Sequence, residues 1–252
     1  PTQLSRQELQ ALTRRYATEI NMIIGPHIDI PAPDIGTDGQ TMAWFMDTYS
    51  QIKGYTDQAV VTGKPIDLGG SLGRAESTGK GVAFCVNFAA EKIGMTIDQN
   101  TTVAIHGFGK VAIPAANDLK AQGAKIVAVS DVSGGVYDPN GLDIEKCEKW
   151  VKENRVLKGM PGTKHITNDE LFALDVDVLI PAAIDGVITK ENAHVVKAKI
   201  IAEGANGPLT KEAIDIVTAK GAFLIPDILC NAGGVIVSYF EWVQGLQSFF
   251  WD

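Results

Sequence analysis

The sequence lacks most features of membrane, secreted and nucleic-acid-binding proteins. Its 252 residues contain three cysteines and no C-x-x-C motif, which argues against a disulfide framework and predicts reduced thiols in a cytoplasmic protein. No apolar run approaches the roughly 18 residues that cross a membrane, and no stretch resembles a signal peptide. The four histidines have no metal-ligand spacing, so no metal site is predicted.

Positive charge is also scarce. Lysine and arginine total 22 against 30 aspartates and glutamates, which gives a net charge of −8. This balance argues against a nucleic acid or an anionic membrane as a partner. The hydrophobic fraction of 45% is ordinary for a soluble globular protein, and the length allows one large or two modest domains.

A strand–turn–helix–strand pattern is present at residues 102–131. A β-rich run leads into Gly107 and Gly109, a helical pattern follows, and a second β-rich run ends at Asp131. In dinucleotide-binding units the glycines let the backbone approach a pyrophosphate, and an acid about 20 residues further on binds a ribose hydroxyl. The pattern predicts a nucleotide site, with a merely structural βαβ unit as the alternative.

The glycine fingerprint is imperfect. Ala112 takes the place of the third glycine, which the looser form of the fingerprint allows. If the helix starts near Gly109, Pro114 removes one intrahelical bond and tilts the first turn. The surrounding β-rich runs therefore carry more weight than the glycines alone.

Strand and helix patterns alternate after residue 101. This alternation predicts an α/β protein with a Rossmann-like, doubly wound, mostly parallel sheet. Residues 134–141 and 158–168 are predicted to be loops. The predicted strands are 102–106, 125–130, 176–181, 199–203 and 222–226, and the predicted helices between them are 110–121, 143–154, 189–197 and 210–219.

The first hundred residues have a different pattern. Ser5 and Glu8 form a capping box at the start of a helix, and the glycine-rich stretch 54–75 is long enough to be functional or a domain crossing. The remaining predicted elements are helices at 5–23, 41–50 and 78–93 and a short β-like run at 27–32.

Two features place polar groups where chemistry is possible. Asp34 lies in a loop pinned by prolines and a glycine, where it is either a turn residue or a catalytic carboxylate. Small residues and amides follow every predicted strand, and ligands of doubly wound sheets bind beyond the carboxyl ends of the strands. These strand ends favour one bound nucleotide. They are Gly107–Gly109, Ser130–Asp131, Pro181–Ile184, Glu203–Pro208 and Pro226–Asp227, the last leading to Asn231–Gly234.

Motifs along the whole chain resemble the glutamate dehydrogenases of the hexameric bacterial and archaeal type. Together they are highly specific, although no single motif is. They are PAPDIGT (31–37), MAWFMDTY (42–49), VVTGKP (60–65), GGSLGRAESTGKG (69–81), GFG (107–109), AEGANGP (202–208) and NAGGVIVSYFEW (231–242).

The resemblance implies reversible oxidative deamination of L-glutamate to 2-oxoglutarate and ammonia, with hydride passing to NAD or NADP. Asp34 holds the place of the aspartate that moves protons to and from the imine. Ser238 matches the hydroxyl that binds the distal carboxylate of glutamate, and Arg74 resembles an arginine beside the cleft. The family forms hexamers, so a homo-oligomer is expected.

The resemblance also implies a set of cofactor contacts. Lys110 departs from the family, in which this position is commonly Asn, and its cation is able to meet a phosphate. Asp131 is suited to the 2′-hydroxyl of NAD and repels a 2′-phosphate, so NAD is slightly preferred and NADP stays possible. The implied contacts are Thr78, Gly107, Phe108, Gly109, Lys110, Val111, Asp131, Asn206 and Asn231.

The resemblance divides the chain into three parts. Residues 1–57 match the last part of an α/β substrate and oligomerisation domain, residues 58–237 the dinucleotide-binding domain, and residues 238–252 the start of a hinge helix that returns to the substrate domain. The family's catalytic lysine lies before the region matching Pro1. The chain as given is therefore expected to bind NAD(H) without turning over glutamate.

Two other functions stay open. One is a dehydrogenase of the leucine, valine or phenylalanine type, although the segment GSLGRAEST resembles the glutamate type. The other is a non-catalytic NAD(P)-binding or assembly module, which the missing lysine favours and which the presence of Asp34 and Ser238 opposes.

Overall fold

The computed structural model describes residues 4–34 and 36–251. The chain folds into two compact units. The first unit combines the chain up to residue 75 with the chain from residue 234 onward, and the second unit holds residues 76–233. The domain boundaries proposed from the resemblance, at 57/58 and 237/238, stay predictions.

The described residues contain the following helices and strands. The helices are α1 (Arg6–Ile20), α2 (Gly39–Lys53), α3 (Ser77–Lys92), α4 (Ala112–Ala121), α5 (Ile144–Asn154), α6 (Asn168–Phe172), α7 (Lys211–Ala219), α8 (Asp227–Cys230) and α9 (Gly233–Gln247). The strands are β1 (Thr102–His106), β2 (Lys125–Asp131), β3 (Gly134–Tyr137), β4 (Lys164–Ile166), β5 (Val178–Pro181), β6 (Ile200–Ala202) and β7 (Phe223–Ile225).

Helices α1 and α2 pack on each other in the first unit. The predicted capping box is confirmed, because Ser5 and Glu8 exchange side-chain to backbone hydrogen bonds at the start of α1. The prediction of a β-like run at 27–32 is wrong. Gly25 and Asp29 instead close a turn, and prolines at positions 26, 31 and 33 prevent a continuous ladder of hydrogen bonds.

The second unit is built on a seven-stranded sheet in the order β4-β3-β2-β1-β5-β6-β7. The pairs β2–β1, β1–β5, β5–β6 and β6–β7 are parallel. At one edge β3 pairs antiparallel with both β2 and β4. The predicted α/β fold with a mostly parallel sheet is confirmed. The strand order reverses between β1 and β5, and ligands of such sheets bind at this topological switch point.

Three local predictions in this unit are wrong. The predicted loops at 134–141 and 158–168 contain β3 and β4, which are short strands that turn back antiparallel at the sheet edge. The predicted helix at 189–197 is reduced to one 3-10 turn, Ala193–Val195. Strands of three or four residues carry too little periodicity to be recognised without their partners.

The sheet carries apolar layers on both faces. Val103 and Ile105 of β1 join the buried cluster that includes residues of α3, α4 and α5, whereas Ala104 joins the cluster that includes residues of α6 and α7. This alternation is the period-two pattern of a strand buried on both sides. No helix of the described part of the chain is long and apolar enough to cross a membrane.

Candidate cofactor and substrate sites

The turn after β1 requires glycine at position 107. Gly107 has a φ of +115°, and a Cβ there would lie 2.8 Å from the carbonyl oxygen of Ala182, which follows the neighbouring strand β5. Its amide also approaches Ser130 at the end of β2, with 3.4 Å between the nitrogen and Oγ. Gly107 thus draws together the carboxyl ends of β2, β1 and β5.

The backbone after this turn is open. A Cβ at position 109 would meet no atom within 4 Å, and Gly109 and Lys110 are both exposed. Helix α4 begins at Ala112 rather than near Gly109, so Pro114 lies in the first turn, where no intrahelical donor is needed. The open backbone and the N-terminus of α4 fit the approach of a pyrophosphate.

Two other residues of this turn face inward. Phe108 and Val111 are half-buried and pack against the cluster under α3 and α4. A Cβ at Gly204, which follows β6, would lie 3.3 Å from Cγ1 of Val111. Both residues therefore hold the glycine turn against the sheet.

Two amides are paired beyond β6 and β7. Nδ2 of Asn231 donates to Oδ1 of Asn206 over 2.6 Å. The Asn206 loop is held because Gly207 N–H donates to the carboxylate of Asp227, with 2.8 Å between nitrogen and oxygen. The structure thus brings together two of the predicted cofactor residues, which come from segments 25 positions apart.

A buried glutamate supports this loop. The side chain of Glu203 is 3% exposed, and its Oε2 accepts from the Asp227 N–H at 2.9 Å, while Oε1 has no hydrogen-bond partner. Burial raises the pKa of Glu203, and the nearby charge of Asp227 adds to this, while hydrogen bonds from backbone N–H groups oppose it. A protonated carboxyl at this position costs less to bury than a carboxylate.

Thr78 lies in the first turn of α3, beside the chain that follows Asn231. A Cβ at Gly233 would lie 2.2 Å from the carbonyl oxygen of Ser77, and a Cβ at Gly81 would lie 3.1 Å from Cα of Gly233. Position 233 therefore has room only for glycine, and the start of α3 lies against a residue that follows Asn231 by two positions. Thr78 is half-buried there.

Asp131 is bonded inside the protein. Its Oδ1 accepts from the N–H of Ser133 at 2.7 Å and from the Ser133 hydroxyl, and its Oδ2 accepts from the N–H of Leu157 at 2.6 Å. These bonds fix the turn between β2 and β3 and the loop after α5. Contact of Asp131 with a ribose stays a prediction, and it would have to use the remaining lone pairs of the same oxygens.

Asp34 is exposed in the first unit. Its backbone N–H donates to Oγ1 of Thr37 at 2.7 Å, and its carbonyl oxygen accepts from the Thr37 N–H, which fixes a tight turn. The neighbouring Ile35 lies outside the described residues. An exposed carboxylate on a fixed turn is able to exchange protons with solvent, so the geometry is compatible with proton transfer.

Arg74 and Ser238 meet in the same unit. Nε of Arg74 donates to Oγ of Ser238 at 2.8 Å, and both side chains are partly buried. Ser238 lies on α9, near its start. A guanidinium held against a hydroxyl offers several donors, which suits a carboxylate ligand.

The buried face of α9 is polar at regular intervals. Ser238, Glu241 and Gln244 are three residues apart, and each bonds the segment 61–74: Glu241 bonds Lys64, and Gln244 donates to Oγ of Ser71 at 2.7 Å. Glu241 is fully buried and Gln244 is 2% exposed. Glu241 and Gln244 were not predicted from the sequence, although polar residues at helical spacing in an otherwise apolar helix were a signal for them.

The Lys64–Glu241 ion pair is completely enclosed. Nζ lies 2.6 Å from Oε1, and both side chains have 0% exposure. Nζ also donates to the carbonyl oxygen of Val61, and the Glu241 carboxylate accepts from the N–H groups of Gly63 and Lys64. Burial lowers the pKa of the Lys64 ammonium, and the charge of Glu241 opposes this shift. Each polar group of the pair thus has hydrogen-bond partners in the interior.

No group of three or more His, Cys, Asp or Glu side chains within residues 4–34 and 36–251 is arranged to hold a metal ion. The polar groups described above that are exposed or half-buried fall into two sets. On the second unit they are backbone amides and carboxamides beside an open glycine turn. On the first unit they are the carboxylate of Asp34 and the pair of Arg74 and Ser238.

Two family models match the chain. The model described as Glutamate/Leucine/Phenylalanine/Valine dehydrogenase matches residues 69–252. The model described as Glu/Leu/Phe/Val dehydrogenase, dimerisation domain, matches residues 1–51. The first match includes the glycine turn, the amide pair, Arg74 and Ser238, and the second includes Asp34.

Individual relatives agree with these models. The chain is 52% identical to a glutamate dehydrogenase of Thermotoga maritima over 253 aligned positions, which cover 100% of this chain and 61% of that protein. The fold resembles a hetero-hexameric glutamate dehydrogenase of Thermus thermophilus in its Leu-bound form, with a TM-score of 0.95, 39% identity and coverage of 100% and 59%. It also resembles a glutamate dehydrogenase of Peptoniphilus asaccharolyticus, with a TM-score of 0.80, 36% identity and coverage of 100% and 60%. The chain thus spans about three fifths of the length of these relatives.

Proposed function

We propose a function from the premise that this chain belongs to the Glutamate/Leucine/Phenylalanine/Valine dehydrogenase family. The function is the NAD(P)-dependent oxidative deamination of L-glutamate to 2-oxoglutarate and ammonia, and its reverse. The second unit holds the cofactor and the first unit carries groups for the substrate. NAD is the first choice of cofactor and NADP the second.

The cofactor assignment is supported by the glycine turn. Gly107 and Gly109 leave the backbone open at the point where the sheet changes its winding, and the N-terminus of α4 follows. Asn206 and Asn231 offer carboxamide donors and acceptors for a ribose and a carboxamide. The nicotinamide, when bound, supplies the acceptor for the substrate hydride. Thr78, Phe108, Lys110, Val111 and Asp131 complete the proposed contacts.

The observation that favours glutamate over an apolar amino acid is the contact between Arg74 and Ser238. A guanidinium that donates to a hydroxyl at 2.8 Å, in a partly buried position, is suited to the distal carboxylate of a dicarboxylic amino acid. A leucine, valine or phenylalanine side chain has no oxygen that could accept a hydrogen bond from these groups. Asp34 is the proposed carrier of protons to and from the reacting nitrogen.

Turnover is tested in the complete gene product, meaning the polypeptide as it is translated. We expect NADH formation with L-glutamate and much slower formation with leucine, valine or phenylalanine. Asp34→Asn is expected to lower kcat by several powers of ten while NADH fluorescence titration gives an unchanged Kd. Equal rates with leucine and glutamate would contradict the proposed substrate, and full activity of Asp34→Asn would contradict the proposed proton carrier.

The 252 residues by themselves are the second test. We expect them to bind NADH and to give no glutamate-dependent NADH production, because they span only about three fifths of the length of the relatives. Glutamate turnover by this chain alone would overturn that expectation. NADH binding without turnover by the complete gene product would favour the alternative function, a non-catalytic nucleotide-binding or assembly module.

Assembly is proposed from the family. The matched dimerisation-domain model at residues 1–51 supports a homo-oligomer, and the family resemblance suggests a hexamer. Light scattering of the complete gene product measures this directly. A monomer at micromolar concentration would contradict the proposal.

A further inference from the structure

The Lys64–Glu241 pair connects the segments that carry the three substrate-side groups of the first unit. Glu241 is three residues after Ser238, close to one helical turn along α9. Lys64 belongs to the segment that ends in Arg74, and Gly70 of that segment packs against the carbonyl oxygen of Lys64, where a Cβ at position 70 would lie at 2.2 Å. The pair therefore joins the helix of Ser238 to the loop of Arg74.

The same pair reaches the Asp34 loop. Gly63, whose N–H donates to Oε2 of Glu241 at 2.9 Å, packs directly on Pro33, because a Cβ at position 63 would lie 2.5 Å from Cδ of that proline. Thr62 N–H donates to the carbonyl oxygen of Pro31 at 3.0 Å. Thr62 and Gly63 are thus held against Pro31 and Pro33, in the segment that ends in Asp34.

The chemistry of the pair suits a positioning role. A buried ion pair adds little net stability, because removing two charges from water offsets their attraction, but it tolerates only one geometry. Glu241 accepts from three donors and Lys64 donates to two acceptors, so neither side chain is able to turn without breaking a buried bond. An apolar pair of similar volume would fill the space without fixing the register of α9 against the loop.

We propose that Lys64 and Glu241 are positioning residues that set the register of α9 against residues 61–74 and so align Ser238, Arg74 and Asp34 for a dicarboxylate. This inference rests on the proposed function. Neither side chain is exposed, so both act through the backbone segments that carry Ser238, Arg74 and Asp34. Substrate affinity should depend on the geometry of the pair more strongly than folding stability does.

Two variants of the complete gene product distinguish an effect on the position of the substrate groups from an effect on folding stability. Glu241→Asp keeps the charge but is one methylene shorter, so the pair persists only if α9 moves towards the loop. We expect KM for glutamate and 2-oxoglutarate to rise roughly 10- to 100-fold, with a smaller change in kcat and an unchanged Kd for NADH. The double variant Lys64→Met, Glu241→Met is expected to keep a thermal midpoint above that of Lys64→Met alone while KM stays raised.

The control is a more exposed ion pair, Lys199 with Asp177, which lies in the second unit with 2.7 Å between Nζ and Oδ1. Lys199→Met should lower the thermal midpoint and leave KM for both dicarboxylates unchanged. The positioning role would be overturned if Glu241→Asp had the wild-type KM, or if the double variant recovered both stability and KM. Either result would leave the proposed function standing. If the wild-type complete gene product does not turn over glutamate, the proposed function fails and this inference fails with it.

Discussion

The guanidinium of Arg74 and the hydroxyl of Ser238 are hydrogen-bonded over 2.8 Å although 164 positions separate them in the sequence. Arg74 ends a glycine-rich segment before the second unit, and Ser238 lies on the helix after it. The folded chain therefore builds this pair from two segments that flank the whole second unit. The pair is the basis of the first prediction.

Ser238→Ala should weaken dicarboxylate binding. A hydrogen bond to a charged group contributes about 1.5 to 3 kcal/mol, so KM for glutamate should rise roughly 10- to 100-fold while Kd for NADH stays the same. Steady-state kinetics of the complete gene product measure both. Thr18→Ala, which removes an exposed hydroxyl bonded to the carbonyl oxygen of Arg14 on α1, is the control and should change neither value. A wild-type KM in Ser238→Ala would show that this hydroxyl does not bind the substrate.

Gly107→Ala should impair cofactor binding and folding together. The φ of +115° and the carbonyl oxygen of Ala182 at 2.8 Å leave no room for a Cβ, and strained backbone of this kind costs about 1 to 3 kcal/mol. NADH titration should show a Kd raised at least about tenfold. Gly221→Ala has a similar φ of +92° with no atom within 4 Å of the added Cβ, so it should lower stability and leave Kd unchanged. Equal effects of both variants on Kd would contradict a local role of Gly107.

Lys110→Gln should weaken NADH binding in a salt-dependent way. Lys110 is exposed beside the open backbone of Gly109, so its cation is able to approach a phosphate. Loss of one such charge should raise Kd by a few-fold at low ionic strength, and the difference from wild type should shrink near 1 M salt, where the Debye length is about 3 Å. Lys125→Gln removes an exposed charge at the opposite end of β2 and serves as the control. The same salt-dependent loss in the control would show a general effect of net charge.

The stability of Glu203→Gln relative to wild type should increase as pH rises from acid to neutral. Burial raises the pKa of Glu203 in the folded protein, so the unfolded chain loses this proton first as pH rises. The folded state therefore loses stability as pH rises from the unfolded pKa of about 4.3 through the folded pKa, and an amide at this position escapes that loss. The free energy of unfolding by urea, measured from pH 4 to pH 8, tests the sign.

The control for this pH series is Glu170→Gln. Glu170 is exposed in the first turn of α6, and hydrogen bonds with the backbone and side chain of Thr167 lower its pKa, so its removal should have the opposite pH dependence. A difference between Glu203→Gln and wild type that is constant with pH would contradict a titrating Glu203.

Much of the fold followed from local patterns. The strand at 102–106 is confirmed to the residue because it is fully apolar between polar ends and leads into a glycine turn. The helices near 41–50 and 78–93 are also confirmed, since a capping box marks the start of the first and a glycine follows the last turn of both. The antiparallel strands β3 and β4 were not predicted, because their hydrogen bonds come from β2 and from each other rather than from their own composition.

The site residues also divide into those that local sequence predicts and those that it does not. Gly107 and Gly109 were predicted from spacing, because the backbone geometry of a tight turn depends on a few adjacent residues. The buried pair of Lys64 and Glu241 was not predicted. A lysine in a loop and a glutamate on a helix are normally solvated, and nothing local shows that these two meet.

By itself the sequence determined an α/β chain with a parallel sheet, a glycine turn and the positions of most helices, because these depend on periodicity and on residues that are neighbours in the chain. Only the tertiary structure decided which polar groups share a site. Arg74 with Ser238, Lys64 with Glu241 and Asn206 with Asn231 are pairs of this kind. Their contacts join segments that are distant in the sequence, and the free energy that holds them comes from burial and packing of whole elements rather than from any local preference.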